Sequence, residues 1–491
     1  MKGIKGGHVI EKQYIQRIEA KLKKGIIKEL KNHHPELALE LISTCGNLLY
    51  NTNLYYIDNE LESALKEVSF QIKLPLTSEK KDNVALLYDG FGLDNRGLAQ
   101  IYVEALSKIK NLVYVTYSEF KNNIPTIREI IEKNGGKVRF IDGKRMTFTE
   151  KIRVLNEIVL EEKPKDFLFY SYPNDVVATT LMNAYEGKIS RYQINLTDHA
   201  FWLGARCIDK CIEFRDYGAW ISKKYREISE EKIVKLPFYP KLHKERKFQG
   251  FPFEVKENQK VVFSGGSLYK TLGDGNKYYQ MVEHILECYE DVIFWYAGSG
   301  DDSEIKKIMK KYPERAYYSL ERQDLYQVIK NSRLYLSTYP IPGGLMYQFA
   351  ASAGRVPVTL HYDECNEGFL LEQKKLQVEF KRLDSLYDEV EKILYDDDYF
   401  KRREKQMLAS VMTEDKFLEG MRSILNSKNP NKICYEEIDT EKFRELYLTR
   451  VKQSDIDGGL ACKNSMIACL RYIPCEVLRG GITKVKKKLR L

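Results

Sequence analysis

Apolar residues recur at helical spacing near the start of the chain. Tyr14, Ile15, Ile18, Leu22, Ile26, Ile27 and Leu30 form one stripe, and Leu37–Leu49 and Leu61–Val68 continue the pattern. Residues 1–82 therefore read as an α-helical extension, suited to packing or to holding a protein partner, and closed by a charged linker with Pro75 at Lys73–Asp82. From Asn83 the pattern changes to short apolar runs alternating with amphipathic stretches. Val84–Tyr88, Val113–Thr116, Val138–Ile141, Phe167–Tyr170 and Tyr192–Leu196 read as strands. Gly97–Ile109, Ile124–Asn134, Lys151–Glu162 and Val176–Tyr185 read as the helices between them. Alternation of this kind predicts a parallel, doubly wound sheet with ligands bound beyond the carboxyl ends of its strands.

A Pro-bounded exit at Lys235–Pro240 and a polar linker at Lys241–Gln259 lead to a second series. Its expected strands are Val261–Phe263, Val292–Ala297, Leu334–Ser337 and Val356–Leu360. Its expected helices are Lys277–Cys288, Ser303–Lys311, Gln323–Lys330 and Leu345–Ala353, followed by Leu383–Tyr395, Tyr399–Ser410 and Asp415–Leu425. The fold class is thus α/β, with two Rossmann-like doubly wound domains at 83–240 and 258–425 facing a cleft. A helical extension at 1–82 precedes them and a helical, basic tail at 426–491 follows.

With 491 residues, 43% of them hydrophobic, the chain has material for more than one core. The formal charge of +9 is concentrated in Lys21–Lys31 and Arg479–Arg490. No basic face interleaved with stacking aromatics accompanies it, which argues against nucleic acid. The basic tail is either a contact for an anionic membrane surface or a solvated end. Nine Cys without CxxC pairs fit a reducing compartment, and Cys207, Cys211 and His199 are too few for a zinc site. With neither an apolar leader nor a run of about 18 apolar residues, the expected location is the cytoplasm, including the inner face of the membrane.

The sharpest chemical signal is Leu334–Gln348, where a strand, a Pro/Gly turn and a helix follow one another. At Pro342, Gly343 and Gly344 the backbone N–H groups of a helix start could approach a diphosphate; taken alone, the same turn is also an ordinary tight turn. Gly265, Gly266, Ser267 and Lys270 form a second Gly-rich turn after the strand Val261–Phe263, with a cation that either neutralises phosphate or is merely solvated. Tyr296–Gly300, including Gly298, closes another strand in the same manner. In the first half, His199 follows a strand beside Asp198, and a strand-end His can act as a general base. Asp89–Gly97 opens a helix with Gly92, Asp94 and Arg96, and Tyr172 ends another strand. Asp301 and Asp302 sit at a helix start, where acids favour the dipole, and no metal site is expected.

The succession Phe263–Gly266 with Lys270, Trp295–Gly300, Asp324–Leu334, and Gly343–Gly344 through Gly354–Val358 resembles the C-terminal half of the GT-B glycosyltransferases. Asp198–Gly204 looks like segments of bacterial transferases similar to the O-GlcNAc transferase and adhesin-glycosylating groups. The resemblance implies hexosyl or N-acetylhexosaminyl transfer without a metal or resident cofactor. The implied donor is a nucleotide-diphosphate sugar, of the UDP type, and the implied acceptor a carbohydrate, lipid-linked glycan or protein hydroxyl in surface polysaccharide or glycoconjugate synthesis. It assigns His199 and Lys270 to catalysis. On the donor side it places Gly265, Gly266, Ser267, Lys270, Gly298, Glu321, Arg322, Pro342, Gly343, Gly344, Leu345, Met346 and Gln348. On the acceptor side it places Gly92, Asp94, Arg96, Tyr172 and Asp198. The retaining branch carries a pair of Glu around the last turn, and this chain has neither, with Gln348 a neutral substitute toward the ribose. A sugar-nucleotide epimerase of the same architecture and an inactive scaffold partnering an active transferase are the competing readings.

Overall fold

The computed structural model describes residues 12–94, 97–362, 376, 378–435, 437, 440, 441, 444, 448, 453–460 and 466–489. Two compact units divide the chain: Met1–Leu236 with Leu418–Leu491, and Pro237–Phe417.

In the first unit the apolar runs form β1 (Lys81–Asp89), β2 (Asn111–Tyr117), β3 (Lys137–Ile141), β4 (Pro164–Tyr170) and β5 (Ser190–Asn195). Two further strands, β6 (Lys210–Glu213) and β7 (Ile233–Lys235), extend the sheet beyond the sequence expectation. All neighbours pair in parallel in the order β3-β2-β1-β4-β5-β6-β7. Strand order reverses between β1 and β4, so the crevice at the switch point lies beyond Asp89 and Tyr170. Helix starts are well specified. Thr147 and Glu150 form a capping box for Phe148–Glu162, and Glu36 accepts the N–H groups of Phe148 and Thr149 at 2.8 and 2.7 Å.

The expected N-terminal helices are present as Lys12–Lys31, Pro35–Thr52 and Asn59–Gln71, and they pack within this unit. Ile15, Leu22, Leu41 and Leu65 are fully buried in the same core as Leu86 and Phe167 of the sheet. Each such side chain contributes roughly 1.5–3 kcal/mol, so a handful is enough to fix the helices in place. The tail joins them as well. Glu29, buried in the first helix, accepts from Tyr472 Oη at 2.5 Å and from Arg471 Nη1 at 2.7 Å, with His34 Nδ1 at 2.8 Å. Burial opposes its ionisation, but these donors hold its carboxyl down at about 2. Residues from Leu418 onward are therefore a structural part of the first unit.

The second unit has β8 (Lys260–Ser267), β9 (Val292–Ser299), β10 (Ala316–Ser319), β11 (Leu334–Leu336), β12 (Pro357–Leu360) and β13 (Glu379–Phe380). Their order is β10-β9-β8-β11-β12-β13, again parallel throughout, with the reversal between β8 and β11. Lys241–Gln259, expected as a linker, lies within this unit. Its aromatics give the reason: Phe251 meets Trp295 edge-on at 5.8 Å and Phe253 stacks on Tyr317 at 4.2 Å. Among the described residues no helix is long and apolar enough to cross a membrane.

Candidate functional site

In the second unit the two glycine turns meet. Ser267 ends β8 and Lys270 lies in the short helix that follows, while Gly343 caps the helix Gly344–Ser352 after β11. These are the two strands at which the sheet order reverses, the position where doubly wound sheets bind ligands. Ile341 N–H donates to the Lys270 carbonyl at 3.3 Å, tying the turns together. A Cβ built on Gly343 would lie 3.8 Å from Lys270 Nζ, so the ammonium stands beside the helix start. Met346 packs under both turns, its methyl 3.4 Å from the Cβ position of Gly265. Thr338 Oγ1 donates to the Ile341 carbonyl at 2.7 Å, and Tyr339 Oη to Asp274 at 2.5 Å, which fixes the loop from its other side. No side chain caps the helix at Gly343. An uncapped helix start with a half-buried lysine beside it can receive an anion through backbone N–H groups and one ionic contact. Pro342 is buried, whereas Gly344 and Leu345 are half-buried at the helix start.

Other donor-side residues are placed differently. Gly298 is required by packing, since a Cβ there would overlap the Gly266 carbonyl of β8. Gly266 itself has φ +122°, which only glycine adopts without strain. Gln348 is 2% exposed and its amide nitrogen donates to the Phe238 carbonyl at 2.9 Å, a buried tie to the segment Pro237–Phe253. Arg322 grips buried Asp324 through two 2.8 Å bonds and donates to the Gly250 carbonyl at 3.1 Å. These bonds hold the aromatic strap in place. Glu321 is exposed and accepts from Ser299 Oγ at 3.1 Å, just beyond β9. Asp301 caps Ser303–Lys311 by accepting the Ser303 N–H at 3.0 Å, as its place at a helix start implies.

In the first unit His199 sits on a tightly held loop after β5. Its ring is 36% exposed, with Nδ1 3.4 Å from Asp198 Oδ1. Asp198 is fully buried and paired with Arg215 at 2.5 and 3.0 Å. Burial opposes its ionisation, but the Arg215 charge and hydrogen bonds, with His199 alongside, hold its carboxyl well below the usual range. Asp198 therefore fixes the loop and stays an anion, and its predicted acceptor contact is replaced by this internal pair. Arg226, also buried, donates to the carbonyls of Thr197, Asp198 and Ala200 at 3.3, 2.9 and 2.6 Å. Asn53 of the N-terminal helices donates to the His199 carbonyl at 2.9 Å, and Glu62 accepts from Gly204 and Arg206 N–H. Arg215, Arg226, Asn53 and Glu62 were not singled out in the sequence, because each reaches the loop from a distant segment and no local spacing marks them.

The loop after β1 is mostly structural. Buried Asp89 accepts from the N–H groups of Phe91 and Gly92 and from Tyr114 Oη. Gly92 has φ +55° and its Cβ would strike Phe120. Asp94, expected at the acceptor, accepts the N–H groups of Thr126 and Ile127 at 2.5 and 2.9 Å and so caps the helix Pro125–Lys133. Asp94→Ala is accordingly expected to cost about 1 kcal/mol of stability, the usual cost of a lost cap. Urea unfolding of the variant checks this, and an unchanged midpoint would remove the capping assignment. Arg96 lies outside the described residues. Tyr172 is exposed beyond β4 and packs against Phe91 at 4.3 Å.

No family model and no curated protein sequence matches the chain. Among solved structures it is similar to an O-GlcNAc transferase mutant from Thermobaculum terrenum, with 12% identity over 89% of this chain and 84% of that one and a TM-score of 0.51. It is also similar to a glycosyltransferase from Rickettsia africae, with 9% identity over 70% and 98% and a TM-score of 0.53. A UDP-GlcNAc 2-epimerase from Neisseria meningitidis has 12% identity over 70% and 99% and a TM-score of 0.49. Two parallel-stranded Rossmann-like units with this strand order, together with the likeness to the two transferases, give the chain the GT-B fold.

Proposed function

We propose that the chain is a glycosyltransferase that takes a hexosyl or N-acetylhexosaminyl group from a nucleotide-diphosphate donor of the UDP type. The acceptor in this reading is the hydroxyl of a glycan, lipid-linked glycan or protein. The observation that carries it is the lysine at the uncapped helix start, with Lys270 Nζ 3.8 Å from the Cβ position of Gly343 at the switch point of the second sheet. In the reaction the bond from the anomeric carbon to the diphosphate oxygen breaks with its electron pair on the diphosphate. The acceptor oxygen forms the new bond. Lys270, Ser267 and the N–H groups after Gly343 meet the charge as it develops, so the scheme calls for no metal. His199 takes the proton of the acceptor hydroxyl if the configuration inverts; if it is retained, His199 contacts the donor sugar and the proton passes to the departing diphosphate oxygen.

The reading extends to location. The helix Pro474–Leu489 exposes Leu478, Ile482 and Val485 on one face, and the chain ends in the basic run Lys484–Leu491. Apolar residues on one side of a cationic helix suit the anionic inner face of a membrane. Ile27 and Phe70, half or more exposed on the N-terminal helices, are the apolar positions available to a protein partner there.

Thermal unfolding with nucleotide diphosphates tests the core of the proposal. UDP at a hundred times its dissociation constant is expected to add about 2.7 kcal/mol of stability. No shift with any nucleotide diphosphate overturns the donor assignment. Conversion of UDP-N-acetylglucosamine to a new sugar nucleotide without acceptor marks an epimerase instead.

A further inference from the structure

Lys151 is a lysine that folding buries without giving it a partner. It lies in the first turn of Phe148–Glu162, is 4% exposed, and its ammonium makes no hydrogen bond or ion pair among the described residues. The rings of Phe148 and Tyr117, 5.3 and 5.6 Å away, offset only part of the cost of desolvating it. The nearest carboxylates are already engaged. Glu119 accepts the Gly143 N–H at 3.2 Å. Asp175 accepts from Ser171 Oγ, Tyr88 Oη and the N–H groups of Val177 and Ala178, all within 2.6–2.9 Å. Burial lowers the Lys151 pKa, with Glu119 and Asp175 acting against it from a distance. A cation left over in such a place points to a ligand that completes it.

There is room for one. Lys151 lines a cavity of about 380 Å³, within the range of small-molecule sites. Gly90 and Tyr172, on its wall, follow β1 and β4, the strands at which the first sheet reverses. Phe120 and Tyr172 offer ring surface, and Asn47 and Asn174 offer amides. The charged residues on the wall are Lys151, Lys484, Glu119 and Asp175. Because the protein's own donors already engage the two carboxylates, flat aromatic faces with amides and two cations suit a hydroxylated ring that carries an acid group better than a purely apolar molecule. We propose that this cavity binds an anionic saccharide through its carboxylate or phosphate, with Lys151 as the counter-ion and the sugar ring against Tyr172 or Phe120. This deepens the transfer reading by naming the acceptor class, and it rests on that reading only for the word acceptor.

Calorimetric titration of the full chain, with no nucleotide present, tests it using glucuronate, glucose 6-phosphate and glucose. One of the two anionic probes is expected to bind at least tenfold more tightly than glucose, and which one does so identifies a carboxylate or a phosphate ligand. Lys151→Met keeps the stem and removes the charge, so it is expected to abolish that preference with no loss of thermal stability. Lys151→Arg is expected to retain it. Neither anion binding better than glucose overturns the proposal in the wild-type protein alone, whatever the variants do. An undiminished preference in a folded Lys151→Met protein overturns it too. Donor-induced stabilisation is measured separately with UDP, so failure here and failure of the transferase reading give different results.

Discussion

Lys270→Ala is expected to lower the kcat for sugar transfer on the order of a hundredfold while changing stability by no more than the roughly 0.5 kcal/mol of an ordinary surface substitution. Removing one donor aimed at a developing oxyanion typically costs 10²–10³-fold, about 2.7–4 kcal/mol. Lys270 is half-buried and makes no ion pair among the described residues that its loss would orphan, so water still screens its charge and the lower end of that range applies. The loss should appear in kcat more than in KM. The donor already carries its diphosphate charge when bound, but the leaving group gains more as the bond breaks, and a cation at that oxygen binds the transition state better than the ground state. Steady-state kinetics with a UDP-sugar, alongside thermal unfolding, separate the two effects. Unchanged kcat in a folded variant removes Lys270 from the reaction and leaves Ser267 and the helix start to support the diphosphate.

The parts of the fold that were legible in the sequence are those that local periodicity encodes. Strands buried on both faces, such as Val84–Tyr88 in β1 and Val292–Ala297 in β9, read as continuous apolar runs, and the helices between them keep their stripes. The strands that escaped were β6, β7, β10 and β13. Their segments are Lys-Cys-Ile-Glu, Ile-Val-Lys, Ala-Tyr-Tyr-Ser and Glu-Phe, too short or too mixed to stand out from turns. Packing between distant segments was not legible either. Nothing near Glu29 announces Arg471 and Tyr472, and the aromatics at Phe251 and Phe253 looked like strays in a linker until Trp295 and Tyr317 covered them.

The candidate sites divide along the same line. Gly343, Lys270 and His199 could be placed at strand ends, where doubly wound sheets bind ligands, because those strands were readable. Asp94, Arg322 and Gln348 were drawn in by the same positional argument, yet the Asp94 carboxylate, the Arg322 guanidinium and the Gln348 amide nitrogen bond within the protein itself. Sequence position shows that a polar residue is near a strand end. Whether its hydrogen bonds are already taken is a tertiary fact. Lys151 is the converse case: in sequence it is one lysine in the first turn of a helix, where a solvated side chain is the ordinary expectation, and only its burial without a partner sets it apart.

His199→Ala is expected to lower kcat between about 10² and 10⁴-fold, the range for loss of a positioned general base. Two features make His199 a suitable group for that role. Its loop is held rigid from behind by the three carbonyl contacts of Arg226 and by Asn53, so the ring has a fixed origin. Asp198, held as an anion by Arg215, lies beside Nδ1 and stabilises the imidazolium that forms when the ring accepts a proton. These supports involve the backbone and Asp198, so removing the imidazole should leave the loop in place, and stabilisation by UDP should survive in the variant. Added imidazole should restore part of the rate. Near-wild-type turnover, with no rescue by imidazole, would assign His199 to the architecture of the loop and leave the acceptor proton to another group.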